Sequence, residues 1–276
     1  MINRFYKNIF IAVLSIISFS SCRDEVILKL NTVGPVLVID GKISNDSVPF
    51  TVRITSTTDY YSLEIPVVKT AFVTISGSNG TIDTLVFNEN SGNYQSNPKS
   101  PNFIRPCLVG VSYTLNVTYN GKTFAATETC LFQNPVDSVK VIYQPKKGFF
   151  PAGYYLWEYT TEKPGKGDCY QWDLYQNDTN VFEDFYYLAD DQFLEDNGQQ
   201  LESDFQYPFR LGDSIIFDQF AISRRYYNFL TNIQSQTNRD GSPFSAPPTN
   251  VKGNISNGAL GYFAVRNVIR KKLLAK

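Results

Sequence analysis

The chain contains no histidine among its 276 residues. That absence removes every Ser-His-Asp and Cys-His nucleophile system and every imidazole metal site. Acid–base work is left to carboxylates, Tyr or Lys. Methionine occurs once, and no apolar run reaches the length of about 20 residues that a membrane-spanning helix needs. Charged residues are scarce at 18%, and the net charge is only −1. There is no general pull toward nucleic acid, which is not expected as a partner. No G-x-S-x-G nucleophile elbow, Walker loop or pair of zinc cysteines occurs. These absences narrow the enzyme readings without closing them, and no cofactor is expected. A carboxylate pair for glycoside hydrolysis stays open as a lesser alternative, because the 26 acidic residues offer many pairs and their separation belongs to the fold.

What is present begins with a targeting device. Arg4 and Lys7 form a positive start. An apolar run of roughly a dozen residues follows from Ile9 to Phe19, too short to span a bilayer. It ends in Phe19-Ser20-Ser21-Cys22, which resembles the lipobox of bacterial lipoproteins. There the chain is cut before the cysteine, whose sulfur takes a diacylglycerol. The alternative is an ordinary secretory signal with an incidental cysteine. Two or more acyl chains would anchor stably, each buried methylene contributing about 0.8 kcal/mol. Arg23-Asp24-Glu25 resembles the surface-export signal of Bacteroidota lipoproteins, with a plain solvated tether as the alternative. These readings give a signal peptide over 1–21 and a tether over 22–34. They imply an outer-membrane lipid anchor at Cys22 and a body facing the extracellular medium.

Hydrophobic alternation then predicts strands. Val36–Ile39 reads as a short buried strand ending in Asp40-Gly41, and Phe50–Thr55, Ala71–Ser76 and Thr81–Phe87 follow. Val111–Tyr119 and Lys122–Thr129 flank Asn120-Gly121, a dipeptide that favours positive φ at both positions of a hairpin turn. About seven strands in a hundred residues argue for an immunoglobulin-like β-sandwich over 35–134. Asn134-Pro135 marks the expected junction with a second β-rich domain over 135–276. Its expected strands are Ser138–Tyr143, Tyr154–Thr161, Tyr170–Tyr175, Phe185–Leu188, Ser214–Phe220 and Leu260–Ile269. A helix near 223–236 would bury Tyr226, Tyr227, Leu230 and Ile233. The fold class is therefore all-β with one short helix.

Several of these stretches together resemble a Bacteroidota outer-membrane lipoprotein family catalogued as domain of unknown function 4249. They are the lipobox, Val36–Gly41, the hairpin around Asn120-Gly121, Pro135–Val139 and, most specifically, Pro243-Phe244 through Asn257-Gly258-Ala259-Leu260-Gly261-Tyr262-Phe263. The resemblance, with the anchor, implies a non-enzymatic surface accessory to a TonB-dependent receptor, serving nutrient uptake by capturing ligand or stabilising the receptor. The rival reading is a stand-alone carbohydrate-binding module for a glycan or other nutrient.

Three cysteines remain beside Cys22. Cys107 and Cys130 flank one hairpin, yet pairing across its turn sets Cys130 opposite Val111, so a bend is needed to join the sulfurs. The family resemblance favours that bridge. Cys169 is expected to be buried and inert. Tyr155, Trp157 and Tyr159 alternate along one strand, as Tyr170 and Trp172 do along another. They serve either as stacking platforms for sugar rings or as inward core residues. Asp190, Asp191, Glu195 and Asp196 form an acidic group suited to Ca²⁺ or to a structured turn, without the EF-hand spacing. Ser47, Thr84, Ser138 and Ser214 each follow Asp and precede a β-former. That pattern resembles Bacteroidota O-glycosylation sites, and it also describes a turn entering a strand.

Overall fold

The computed structural model of the chain describes residues 34–46, 50–59, 62, 64–97, 99–100, 106–182, 185–192, 200–237 and 251–276, residues 200–203 by their backbone alone. Cys22, Ser47, Glu195, Asp196 and most of the expected loop over 240–257 lie outside them. Seven strands build the first half: β1 (Leu37–Ser44), β2 (Thr51–Ser56), β3 (Phe72–Gly77), β4 (Ile82–Asn88), β5 (Asn93–Gln95), β6 (Ser112–Tyr119) and β7 (Lys122–Thr129). Their alternation becomes burial. Tyr113, Leu115 and Val117 of β6 point inward while Ser112, Thr114 and Asn116 lie between them at the surface. Asn120 and Gly121 both take positive φ, 48° and 71°, in the tight turn joining β6 to β7.

β4 changes sheet along its length. Ile82–Leu85 pair with β3, and Val86–Asn88 pair with β5. One layer thus runs through β1, β2 and β5, the other through β3, β6 and β7, with one apolar core between them. Ile39 and Val52 meet Ile75, Leu115 and Val117 there. Asp40-Gly41 does not end β1 as expected but lies inside it. A Cβ on Gly41 would stand 3.0 Å from the Phe263 ring, so glycine lets that ring approach the strand.

The second half comprises β8 (Val136–Gln144), β9 (Gly153–Thr161), β10 (Cys169–Gln176), β11 (Thr179–Asn180), β12 (Tyr187–Asp190), β13 (Gln200–Asp204) and β14 (Ser214–Ala221), then α1 (Arg224–Thr237) and β15 (Leu260–Leu274). β15 pairs antiparallel with β14 and parallel with β1, so the last strand completes the first core with Phe263 and Val265. Its opposite face gives Tyr262, Ala264 and Val268 to a further cluster beneath α1. Burial on both faces explains its unbroken apolar run. β15 continues to Leu274, beyond the expected end at Ile269, because β14 supplies a backbone ladder that far. Pro35–Lys276 form one compact unit across the Asn134-Pro135 junction.

α1 begins at Ser223, whose hydroxyl accepts the Tyr226 N–H at 3.1 Å. Tyr226 and Leu230 are buried, and the Tyr226 and Phe229 rings pack on Tyr262 at 4.9 and 4.8 Å. Among the described residues no helix is long and apolar enough to cross a membrane.

Candidate functional site

β8, β9 and β13 form a small separate sheet. Successive side chains of β9 point to opposite faces. Leu156 enters the second apolar core, and Glu158 and Thr160 on the same face are buried. Tyr155, Trp157 and Tyr159 occupy the other face. The five aromatics singled out in the sequence therefore divide. Tyr170 and Trp172 of β10 are only 7% and 6% exposed, packed with Leu174, Phe205 and Phe217, and belong to the core. Tyr159 is half-buried, with the Lys140 ammonium 4.6 Å from its ring centre. Tyr155 and Trp157 line a groove of about 490 Å³.

The rest of the groove comes from residues that the sequence reading passed over. The loop from β8 to β9 folds back on itself: Lys147 N–H donates to Phe150 O and Phe150 N–H to Lys147 O, each at 3.0 Å. Gly148 takes φ 59° at the first position of this two-residue turn, which favours glycine there. The turn leaves Phe149 fully exposed at the tip and Phe150 partly so. Tyr155 is 2% exposed and forms the floor; its hydroxyl donates to Pro151 O at 2.7 Å and so fastens the loop. Burial raises the Tyr155 pKa, and the charge of Asp204 adds to the effect. Asp204, Gln144 and Gln206 supply polar walls, and Lys147 lies at the rim. The signal that marks this loop in the sequence is Lys146-Lys147-Gly148-Phe149-Phe150, two aromatics beside a glycine where a polar turn belongs.

The start of β1 and the groove lie toward opposite ends of β15. Val38 stands beside Leu260 at the start of β15. The loop before β14 meets the other end, with Gly212 N–H donating to Ala275 O, and Phe209 in that loop is bonded to Tyr154 of β9. β15 has 15 residues, so its two ends are at most about 45 Å apart, at about 3.3 Å per residue when fully extended.

A chain of buried polar groups lies under the groove strand. Glu158 accepts from Trp172 Nε1 at 2.8 Å and from Gln219 Nε2 at 2.6 Å. Gln133 Nε2 donates to Gln219 Oε1 at 2.5 Å. Burial pushes the Glu158 carboxyl up to about 7, against the opposing bond from Trp172. Nearby, Glu162 accepts from Asn134 Nδ2 at 2.8 Å and from the Tyr170 hydroxyl at 3.1 Å.

The remaining candidates resolve as follows. Asp190 pairs with Arg224, and Asp191 accepts the N–H groups of Gly167 and Asp168, holding that loop. Carboxylate oxygens of Asp191, Glu162 and Asp168 lie within 4.8 Å of one another, a grouping different from the one expected. Lys163, backbone N–H groups, Asn134 and Tyr170 already serve these acids. Cys107 and Cys130 Sγ atoms are 3.0 Å apart and unbonded. A turn over Leu108–Val111, with Gly110 at φ 83°, supplies the bend that brings them together. Cys169 is buried, and burial raises its thiol to about 12. Thr84 and Ser214 are exposed, and Ser138 is half-buried. Asp213 before Ser214 accepts the Arg210 N–H and the Gln176 and Asn177 amides, so it shapes the turn into β14.

A family model described as Domain of unknown function (DUF4249) matches residues 23–272. The chain belongs to that family. No curated protein matches it. Residues 251–263, the described part of the stretch that most resembled DUF4249 in the sequence, are structural. Asn257 and Gly258 take positive φ, Asn257 Nδ2 donates to Thr123 O, and Ser256 is bonded to Ala125, which covers the edge of β7. Gly261 takes φ 96°, and a Cβ there would collide with the Ile39 backbone. In this DUF4249 chain none of the described residues of that stretch lines the groove.

Proposed function

We propose that the chain is a surface-exposed outer-membrane lipoprotein held through Cys22 and acting without catalysis as an accessory to a TonB-dependent nutrient receptor. Its role is to capture ligand in the groove of the small sheet or to brace the receptor's outer face. One observation carries this reading: the groove and the start of β1 lie toward opposite ends of β15, an arrangement that suits a capture site on a tethered protein. The non-catalytic part draws support from the groove's chemistry. Among its described lining residues Asp204 is the one carboxylate, and paired carboxylates are what glycoside hydrolysis requires.

The test has two arms. Cells fed radiolabelled palmitate should label the wild-type chain and not Cys22→Ser, which should leave the membrane fraction. Affinity purification from detergent-solubilised outer membranes should bring down a receptor barrel. Absence of the label refutes the anchor, and a lone monomer in repeated purifications refutes the accessory role.

A further inference from the structure

The groove combines two kinds of surface in one place. Trp157, Phe149 and Phe150 offer ring faces, and Phe149 is held in water by the geometry of its turn. An exposed Phe forgoes roughly 1.5–3 kcal/mol of burial. Among the described lining residues the polar walls carry one positive and one negative side chain, Lys147 and Asp204, together with the carboxamides of Gln144 and Gln206, and these carry no net charge. A strongly anionic or cationic ligand would meet as much repulsion as attraction, and a purely apolar one would strand the polar walls.

A ligand that satisfies both surfaces needs flat C–H faces for the rings and many neutral groups that both donate and accept. Saccharides have both. Their hydroxyls can donate to the Asp204 carboxylate, which only accepts, and can both donate to and accept from the carboxamides, which carry an acceptor and a donor side by side. The volume of about 490 Å³ falls within the usual 300–1,000 Å³ of small-molecule sites. We propose that the groove binds a neutral oligosaccharide, with sugar rings against Trp157 and Phe149 and hydroxyls shared among Asp204, Gln144 and Gln206. This deepens the reading of the chain as a capture protein and rests on it.

The chain has two tryptophans, and only Trp157 faces the groove, so its fluorescence reports binding. The full chain in detergent would be screened on a glycan array, and hits titrated as free hexasaccharides, with a casein-derived peptide digest as the competing ligand class. The expected result is saturable saccharide binding that Phe149→Ala weakens about tenfold, as for one lost aromatic contact, and that Trp157→Ala abolishes. Because Phe149 is fully exposed, its variant should melt with the wild type. Saccharide binding indifferent to both variants overturns the proposal, as does a blank array or preference for the peptides. Receptor co-purification separates the two readings. Lost co-purification in Phe149→Ala with a blank array makes the tip a protein contact and leaves the accessory role standing. Sugar binding without any receptor removes the accessory role alone.

Discussion

Glu158 should make the protein less stable as pH rises, the reverse of the usual carboxylate. Its folded-state value of about 7 lies above the ordinary 4.5. Below pH 4.5 the carboxyl is protonated in both folded and unfolded chains, and no penalty applies. Between pH 4.5 and 7 the unfolded chain releases its proton while the folded one retains it, so stability falls. Above pH 7 the full penalty, ~3 kcal/mol at about 1.4 kcal/mol per unit, is in place. Protonation also has a local consequence. An acid facing Gln219 must donate, so Gln219 must turn its amide, and Gln133 must turn in response. Gln133 Oε1 accepts no hydrogen bond in the present arrangement, so turning that amide would offer Gln219 an acceptor in exchange for the Nε2 bond to Asn134 O.

Glu158→Gln isolates the effect, because it keeps the shape and removes the titration. It adds a constant cost near 1 kcal/mol for a misdirected amide hydrogen bond, or less if the two glutamines turn. Urea denaturation of both proteins from pH 4.5 to 8 gives the difference in stability. The expected difference shifts by ~3 kcal/mol in favour of the variant across that range. A difference that stays flat with pH would refute the reasoning, whatever its absolute size, since other titrating groups cancel between the two chains.

Three further outcomes follow from the geometry. Cys107 and Cys130 should bridge under oxidising conditions: denaturing alkylation without reductant should tag neither. Closing a loop with a sequence separation of 23 should contribute about 3 kcal/mol. Tags on both Cys107 and Cys130 in protein taken from the envelope, beside the free Cys169, would exclude the bridge. Gly261→Ala should cost roughly 3 kcal/mol or more, through positive φ and collision with the Ile39 backbone; a melting temperature unchanged from wild type would contradict it. Ser223→Ala should cost about 1 kcal/mol through loss of the α1 cap, read by thermal denaturation, and an unchanged midpoint would mean that the cap is idle.

Local chemistry was readable in the sequence, and partnership was not. Asn120-Gly121 specifies its turn through positive φ, and Ser223 with Tyr226 and Leu230 specifies α1. The run Tyr262-Phe263-Ala264-Val265 announces a strand covered on both sides, but nothing local says that β1 lies beside it in parallel. Pairing of that kind joins residues more than two hundred positions apart. The face of β9 was ambiguous for another reason. Tyr155, Trp157 and Tyr159 are as bulky as Tyr154 and Leu156, so period-two alternation cannot tell which set is inside. The groove itself needed the turn at Gly148-Phe149, whose aromatics read as ordinary apolar residues until the hairpin sets them in water.

The buried acid and the groove depend on one another through β9. The small sheet is not part of the large sheet's hydrogen-bonded ladder; a single bridge, Tyr154 to Phe209, joins β9 to the loop before β14. Beside that bridge, side-chain packing with Leu156, the bonds that Trp172 of β10 and Gln219 of β14 give to Glu158, and the Tyr170 and Tyr187 hydroxyls donating to Glu162 and to Asp204 O set its position. Apolar packing is non-directional and tolerates a slide of the strand, whereas two hydrogen bonds to one carboxylate do not. Trp157 is the next residue in the strand and faces the other way. A one-residue slip would send Trp157 inward and bring Glu158 into the groove, so the register that satisfies Glu158 is the register that builds the groove floor. An uncommon buried acid thus has a specific use here, which apolar packing alone would not serve.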